Sequence, residues 1–169
     1  MNCEMPGREE MGAWINLLQA RDTVAAEVGR RLAAEAGISL AEHEVLIRLV
    51  SAPGHRLRML DLANLLLVSK SGVTRLIDRL VEEGWVLRDL SSEDRRVVYA
   101  TLTQEGLVKL RDTMPVFATS VREVFSRHLS PDDIQDLRRV LRKLLEGQGV
   151  WSDERCAPMT APVADAVRP

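Results

Sequence analysis

Apolar residues recur at helical spacing over much of the chain. Between positions 11 and 36 the apolar residues lie at helical spacing, which predicts a first long helix: Trp14, Leu17, Leu18, Val24, Val28 and Leu32. Gly37 follows it and suits the left-handed position just past a helix end. Ser39 and Glu42 stand three apart, the pattern of a capping box, and predict that a second helix begins here and stops before Pro53.

Two short helices joined by a tight turn are predicted next. Leu60–Leu66 is apolar on one side, and Ser69 offers an N-cap for the helix that follows. In that following helix, apolar positions form a single stripe: Val73, Leu76, Ile77 and Leu80. The opposite side carries polar residues: Ser71, Thr74, Arg75 and Asp78. One face is therefore expected to pack, and the other is free to recognise a partner molecule.

The pattern then changes from helical to alternating. Residues 85–90 and 97–102 predict two strands joined by the polar loop 91–96, which together form a hairpin with a charged tip. Thr103 is expected to cap a helix with an apolar stripe, in which Pro115 predicts a kink or a break, because an interior proline costs about 3 kcal/mol.

A final helix and a tail complete the pattern. Ser130 and Pro131 predict the start of a last amphipathic helix. Residues 148–169 are rich in Pro, Ala and isolated charges and predict a flexible tail. The fold class expected is mainly α with a small β-hairpin wing.

Composition limits the classes of protein to consider. With 169 residues, 46% of them hydrophobic and 28% charged, one globular core is expected. No apolar run is long enough for a membrane span, so we expect a cytoplasmic protein. Cys3 and Cys156 lie near opposite ends and are expected to be idle thiols, although oxidant sensing by Cys3 stays open. The net charge of −2 excludes a non-specific polycation, so the placement of charge must decide any interaction with nucleic acid.

The order of elements is that of a winged helix-turn-helix set between long helices, and here the sequence resembles the MarR family of bacterial regulators. The resemblance rests on short motifs at fixed separations: Leu60-Asp61-Leu62-Ala63, Ser69 to Leu80, Gly84, Asp94-Arg95-Arg96, and Leu102-Thr103-Gln104-Glu105-Gly106.

The first helix and the last two carry more apolar surface than one small winged helix can cover, so we expect them to pair with the same helices of a second copy, with packing inside one chain as the alternative. Such a homodimer would place two recognition helices on successive major grooves of a palindromic operator, about 10 base pairs apart. A repressor is expected, and the sequence leaves activation open. We accordingly expect a dimerisation helix at 1–38, a DNA-binding domain at 39–104 and dimerisation helices at 105–147.

Specific residues are expected to contact double-stranded DNA. The N-terminal part of a helix in the major groove lies nearest the base edges, which favours Ser71, Thr74 and above all Arg75 for readout. Lys70 and Arg79 are expected at the phosphate backbone. Arg95 and Arg96 form the tip of the hairpin, where Asp94 is expected to brace the loop; the resemblance makes Arg96 the residue for the minor groove.

The same sequence features are compatible with functions other than DNA binding. Between positions 70 and 99 six basic residues are matched by six acidic ones, so these charges are also consistent with an ordinary solvated surface. A winged helix that binds only protein is the main alternative. We find no constellation of an enzyme, no cofactor motif, and no short ligand pair among His43, His55 and His128 that would predict a metal site. The resemblance implies a small aromatic or phenolic effector, often anionic, that binds between the dimerisation helices and the winged helix. The sequence does not locate this pocket; Trp14 and His43 are the candidate lining residues, with an ordinary place in the core or at its rim as the alternative.

Overall fold

The computed structural model describes residues 5–90, 94 and 96–151. Helices dominate, and a small sheet lies among them. The elements in chain order are α1 (Arg8–Arg31), α2 (Leu40–Ser51), β1 (Arg56–Arg58), α3 (Met59–Leu66), α4 (Lys70–Glu82), β2 (Val86–Leu90), β3 (Val98–Leu102), α5 (Gln104–Val124) and α6 (Pro131–Gly147). The mainly helical fold class with a small β wing is confirmed.

Side-chain caps set the predicted helix starts. Ser39 and Ser130 both form capping boxes, and Ser69 and Thr103 each accept a hydrogen bond from the third residue of their helix. These bonds satisfy amide groups that the first turn of a helix leaves without a partner. Because this chemistry is local, the sequence alone located these four helix starts correctly.

The sheet has three strands rather than the two of the predicted hairpin. They lie in the order β1-β3-β2 and are antiparallel, with Leu57 of β1 opposite Ala100 of β3. The prediction of a simple hairpin was therefore incomplete. A three-residue strand is too short to show alternation, and it exists here because β3 provides it with hydrogen-bond partners.

Pro115 lies inside α5, which continues from Gln104 to Val124. Of the predicted kink or break near Thr113 and Met114, the break is wrong and the kink stays a prediction. Leu110, Thr113 and Ser120 on either side of the proline are buried, so packing of α5 against the rest of the core offsets the local cost of the proline.

The base of the wing is joined tightly to the start of α5. Thr103 Oγ1 donates to the carbonyl oxygen of Gly84 at 2.7 Å and accepts from the amide of Gly106 at 2.9 Å. A Cβ atom on Gly106 would lie 2.1 Å from the carbonyl oxygen of Trp85, so no larger residue fits without movement of the backbone. The predicted Leu-Thr-x-x-Gly motif thus has a steric role, fixing the wing against the helix.

The core joins α2, α3, α4, the sheet and α5. Its largest fully buried side chains include Leu46, Leu62, Ile77, Leu80 and Leu110. The C-terminal end of α1 belongs to this core through Val28 and Leu32, and the ion pair of Arg31 with Glu123 at 2.6 Å connects α1 to α5. After Arg31, α1 continues into a π-helical turn, Leu32–Ala36, that ends at Gly37. Gly37 has φ 60°, the left-handed conformation that the sequence predicted.

Two helices leave apolar surface uncovered. On α1, Trp14, Ile15 and Leu18 are exposed, and α6, described over its whole length, buries no residue. Val140 and Leu144 of α6 are 52% and 46% exposed. The chain as a monomer therefore presents apolar helix faces at both ends of its sequence.

The predicted tail begins with residues that contact α6. The amides of Val150 and Trp151 donate to the carbonyl oxygen of Leu145, and the guanidinium of Arg142 lies 4.9 Å from the centre of the Trp151 ring. The rest of the predicted tail, together with Cys3 and Cys156, lies outside the described residues. In the described ranges, no helix combines the length and the apolar character that a bilayer crossing requires.

Candidate nucleic-acid interface

Helix α4 is amphipathic, and its apolar side determines which residues it presents. Val73, Ile77 and Leu80 are at most 1% exposed. The side chains of Ser71, Thr74 and Arg75 lie on the opposite side and are exposed. The residues predicted for base and phosphate contacts in the first two turns of α4 therefore all lie at the surface.

Hydrogen bonds order the hydroxyl groups at the start of α4. Ser69 Oγ accepts from the amide of Gly72 at 3.0 Å and lies 3.1 Å from Ser71 Oγ. Thr74 Oγ1 donates to the carbonyl oxygen of Lys70 at 2.8 Å. These contacts restrict the rotamers of the hydroxyls before any partner binds, which lowers the entropy cost of recognition.

The basic residues of α4 differ in how they are engaged. Lys70 and Arg75 are exposed, and no hydrogen bond or ion pair to another described residue engages either side chain. Arg79 is 68% exposed, but its Nη2 lies 3.1 Å from Oε1 of Glu42. The predicted phosphate contact by Arg79 must therefore share this side chain with an intramolecular ion pair.

Glu42 connects α4 to the start of α2. Its side chain is only 7% exposed. Its other carboxylate oxygen accepts from the amide and the hydroxyl of Ser39 at 2.8 and 2.7 Å. Because a buried carboxylate requires partners for both oxygens, the capping box and Arg79 together hold the N-terminus of α2 against α4.

The described part of the wing tip is organised by Asp94. Its Oδ1 accepts from the amide of Arg96 at 2.9 Å, and its carbonyl oxygen accepts from the amide of Val97 at 2.9 Å. This local turn leaves the side chain of Arg96 exposed. Arg95, the other predicted tip residue, lies outside the described residues.

A cavity of about 580 Å³ separates α4 from the wing. Among the described residues, its lining includes four basic residues and no acidic residue, and its apolar part includes Val73 and Val98. The basic residues are Arg58, Lys70, Arg88 and Arg96. Clustered positive charge in a cleft attracts anions such as phosphate groups.

Sequence reasoning did not identify Arg58 and Arg88 as members of this cluster. Arg58 comes from β1, the strand that the pattern did not reveal, and its Nε donates to the hydroxyl of Tyr99 at 3.3 Å. Arg88 stands opposite the buried Ala100 in the sheet and reaches α4. The alternation of side chains along the strand already placed this charged residue on the inward side. That placement was the signal in the sequence that could have identified Arg88.

The two candidate effector residues lie elsewhere. Trp14 is 55% exposed on α1, and His43 is fully buried in α2. Neither lines the cavity beside α4.

His43 is held in one tautomer by its surroundings. Thr113 Oγ1 donates to the carbonyl oxygen of Leu110 at 2.9 Å, so it accepts from Nδ1 of His43 at 3.0 Å. Nε2 is then an unprotonated acceptor, and among the described residues it has no hydrogen-bond partner. The ring of Phe117 lies 4.6 Å away, centre to centre, and burial lowers the pKa of His43 from 6.5 to about 4.

An exposed polar helix after a short helix and a tight turn, with a basic wing beside it, defines a winged helix-turn-helix protein. A profile of the MarR family matches residues 38–98. The HTH-type transcriptional repressor YetL of Bacillus subtilis (strain 168) is 30% identical over 117 residues, which are 69% of this chain and 70% of YetL. The chain belongs to the MarR family.

Two further comparisons extend this result. The transcriptional repressor MprA of Escherichia coli (strain K12) is 32% identical over 109 residues, which are 64% of this chain and 61% of MprA, so less than two thirds of that relative is matched. Sco3205, a MarR family transcriptional regulator from Streptomyces coelicolor solved in complex with DNA, has a TM-score of 0.79 and 30% identity, and the match covers 85% of this chain and 90% of Sco3205.

Burial of neutral His43 predicts that acid destabilises the fold. Between pH 6.5 and about 4 the imidazole of the unfolded chain takes up a proton that the folded site does not. The free energy of unfolding therefore decreases as the pH is lowered through this window. The shift in pKa corresponds to a loss of about 3 kcal/mol in the free energy of unfolding of the wild type. His43→Asn has no titrating ring and should not show this loss. Urea unfolding from pH 7.5 to 4 measures this difference, and parallel curves for the two proteins would contradict it.

Proposed function

We propose that this chain is a sequence-specific regulator of transcription that binds double-stranded DNA as a homodimer, most simply as a repressor. The observation that carries the proposal is the exposed face of α4, with Arg75 and Lys70 available for DNA and a basic cavity separating α4 from the wing. The repressor names of YetL and MprA and the DNA complex of Sco3205 support it. Because the proposed target is an operator on a bacterial chromosome, the proposal includes a cytoplasmic location for the protein.

Each basic residue has a distinct role in the proposed complex. Arg75, exposed in the second turn of α4, reads base edges in the major groove together with Ser71 and Thr74. Lys70 contacts phosphates of the DNA backbone. Arg79 also contacts the backbone, and it keeps its ion pair with Glu42. Arg96 enters the minor groove from the wing, and Asp94 braces the turn. Arg95, which lies outside the described residues, is proposed as a further contact to DNA.

Two copies of the chain form the functional unit in this proposal. The apolar residues that α1 and α6 leave exposed cover each other across a two-fold axis, so residues 1–38 and 105–147 dimerise and residues 39–104 bind DNA. Such a dimer presents two α4 helices to successive major grooves, about 10 base pairs apart.

A small phenolic effector is proposed to release the DNA. Among the described residues, Nε2 of His43 is an acceptor without a partner, and the ring of Phe117 makes its surroundings apolar. Such a site suits the hydroxyl of a phenol better than a carboxylate. Trp14, on the exposed face of α1, is the second residue proposed to line the site.

Replacement of Arg75 by Ala is expected to weaken operator binding by about 1–3 kcal/mol and to relax sequence preference, because a bidentate contact to a base is lost. Lys70→Ala should weaken all duplexes about equally and reduce the dependence of log K on log salt by roughly one unit. Fluorescence anisotropy with duplexes selected from random DNA measures both effects. Arg21→Ala is the control, because it removes an exposed basic side chain on α1, away from α4 and the wing. Binding of Arg75→Ala with unchanged affinity and preference would refute the assignment.

The double substitution Val140→Glu with Leu144→Glu is expected to convert the dimer into a folded monomer, because it places charge in the apolar face of α6. Sedimentation at micromolar concentration measures the change in mass. Lys143→Glu alters the net charge by the same amount outside that apolar face and should remain dimeric. A wild-type chain that sediments as a monomer would disprove the dimer.

Titration of phenol into the operator complex is expected to lower the anisotropy of the labelled duplex at up to millimolar concentration. His43→Asn should shift the midpoint upward, whereas Arg139→Gln on α6 should leave it in place. If phenol and substituted phenols released no DNA from the wild type, or released it equally from His43→Asn, the proposed site would be wrong.

A further inference from the structure

Arg88 connects the wing to α4 through two contacts. It extends from β2, and its Nη1 forms an ion pair with Oδ1 of Asp78. Its Nη2 donates to the carbonyl oxygen of Thr74 at 3.0 Å. We propose that Arg88 is a positioning residue that sets the placement of α4 relative to the wing and thereby the DNA sequence preference, an inference that rests on the proposed function.

The two contacts constrain both the distance and the rotation of α4. Thr74 and Asp78 are four residues apart, so they lie one turn apart on the same face of the helix. A guanidinium is planar and presents its donors in a fixed fork, so engaging two points on a helix fixes its orientation better than a single charge would. Arg75, the residue proposed to read bases, lies between these two points in the sequence.

Apolar packing does not fill the space on this side of α4. The cavity of about 580 Å³ lies between the helix and the wing, and Arg88, Thr74 and Val98 all line it. Val86 at the start of β2 belongs to the same core as Ile77 of α4, but next to the cavity few contacts hold the outer part of the wing at a fixed separation from the N-terminal half of α4. The fork of Arg88 bridges the gap where packing is lacking.

The electrostatic surroundings also favour an internal role. Arg58, Lys70 and Arg96 line the same cavity and repel a further cation. The carboxylate of Asp78 offsets this repulsion at Arg88. Conversely, Asp78 without Arg88 would place an unneutralised negative charge on the helix that faces phosphates in the proposed complex.

Placement of α4 affects sequence specificity because the proposed complex contacts the DNA grooves at two points. Arg75 in the major groove and Arg96 in the minor groove must reach their contacts at the same time. Hydrogen bonds to base edges weaken steeply when distance or angle changes. Loosening α4 against the wing therefore reduces readout of bases more than contact with phosphates.

Asp78→Asn provides the sharpest test, because charge and positioning predict opposite results. Removal of a negative charge near DNA by itself strengthens binding to any duplex. The positioning role predicts weaker binding to the selected operator instead, by about tenfold, the usual cost of one lost base contact. Anisotropy on the operator and on a scrambled duplex of equal length measures this. Operator binding by Asp78→Asn as tight as the wild type would overturn the proposal.

Arg88→Gln, alone and combined with Asp78→Asn, separates positioning from direct phosphate contact. Arg88→Gln alone leaves the carboxylate of Asp78 unneutralised, so we expect it to weaken binding to both duplexes, and more strongly to the operator. The double variant Arg88→Gln with Asp78→Asn keeps the net charge, so we expect the tenfold loss on the operator, little change on the scrambled duplex and an unchanged salt dependence. An equal loss on both duplexes in the double variant, with a salt slope lower by about one unit, would show a phosphate contact and overturn the proposal. Arg139→Gln, which breaks the exposed Arg139–Asp136 pair on α6, is the matched control.

A measurement without DNA keeps the inference testable apart from the proposed function. Spin labels at Glu82 and Leu90, both exposed, report the distance between α4 and the wing in a chain with Cys3 and Cys156 replaced by Ser. Asp78→Asn and Arg88→Lys, which retains the charge but not the fork, should broaden the distance distribution. Unchanged distributions in variants that melt as the wild type does would overturn the positioning role, whereas failure to select any duplex with the wild type would overturn only the DNA function.

Discussion

Burial of the apolar stripe of α4 is the constraint on which the candidate interface depends. Val73, Ile77 and Leu80 are at most 1% exposed, and burial of each such side chain is worth roughly 1.5–3 kcal/mol. Rotating α4 by a single residue position, about 100°, would expose this stripe to water. The orientation of Ser71, Thr74 and Arg75 toward solvent is thus a consequence of core packing, not of any attraction to DNA.

Polar contacts then refine a position that packing determines only coarsely. Arg79 connects α4 to the capping box of α2 through Glu42, and Arg88 connects it to the wing through Asp78 and Thr74. The neighbour of Glu42, His43, is hydrogen-bonded to Thr113 of α5. Contacts are therefore continuous from α5, a helix proposed for dimerisation, to the helix proposed for DNA recognition. An effector at His43 would act on this route if it shifted α2 against α5.

Local chemistry made much of the fold predictable. The caps at Ser39, Ser69, Thr103 and Ser130 involve residues at most three apart, so their spacing carries the complete signal. The amphipathic period of α4 likewise identified its exposed face. Prediction failed where a distant segment decided the outcome: β1 needs β3 as a partner, and α5 continues through Pro115 because the residues around the proline are buried.

The sequence by itself determined the order of helices, the buried stripe of α4 and the basic character of its exposed side, because these follow from periodicity and from residue types close together in the chain. Tertiary structure alone decided how the charges are used. It paired Arg79 with Glu42, 37 positions earlier in the chain, brought Arg88 to Asp78, and gave Arg75 no ion-pair partner among the described residues. Ion pairs between elements depend on where packing places each backbone, and periodicity within one element contains no information about that placement.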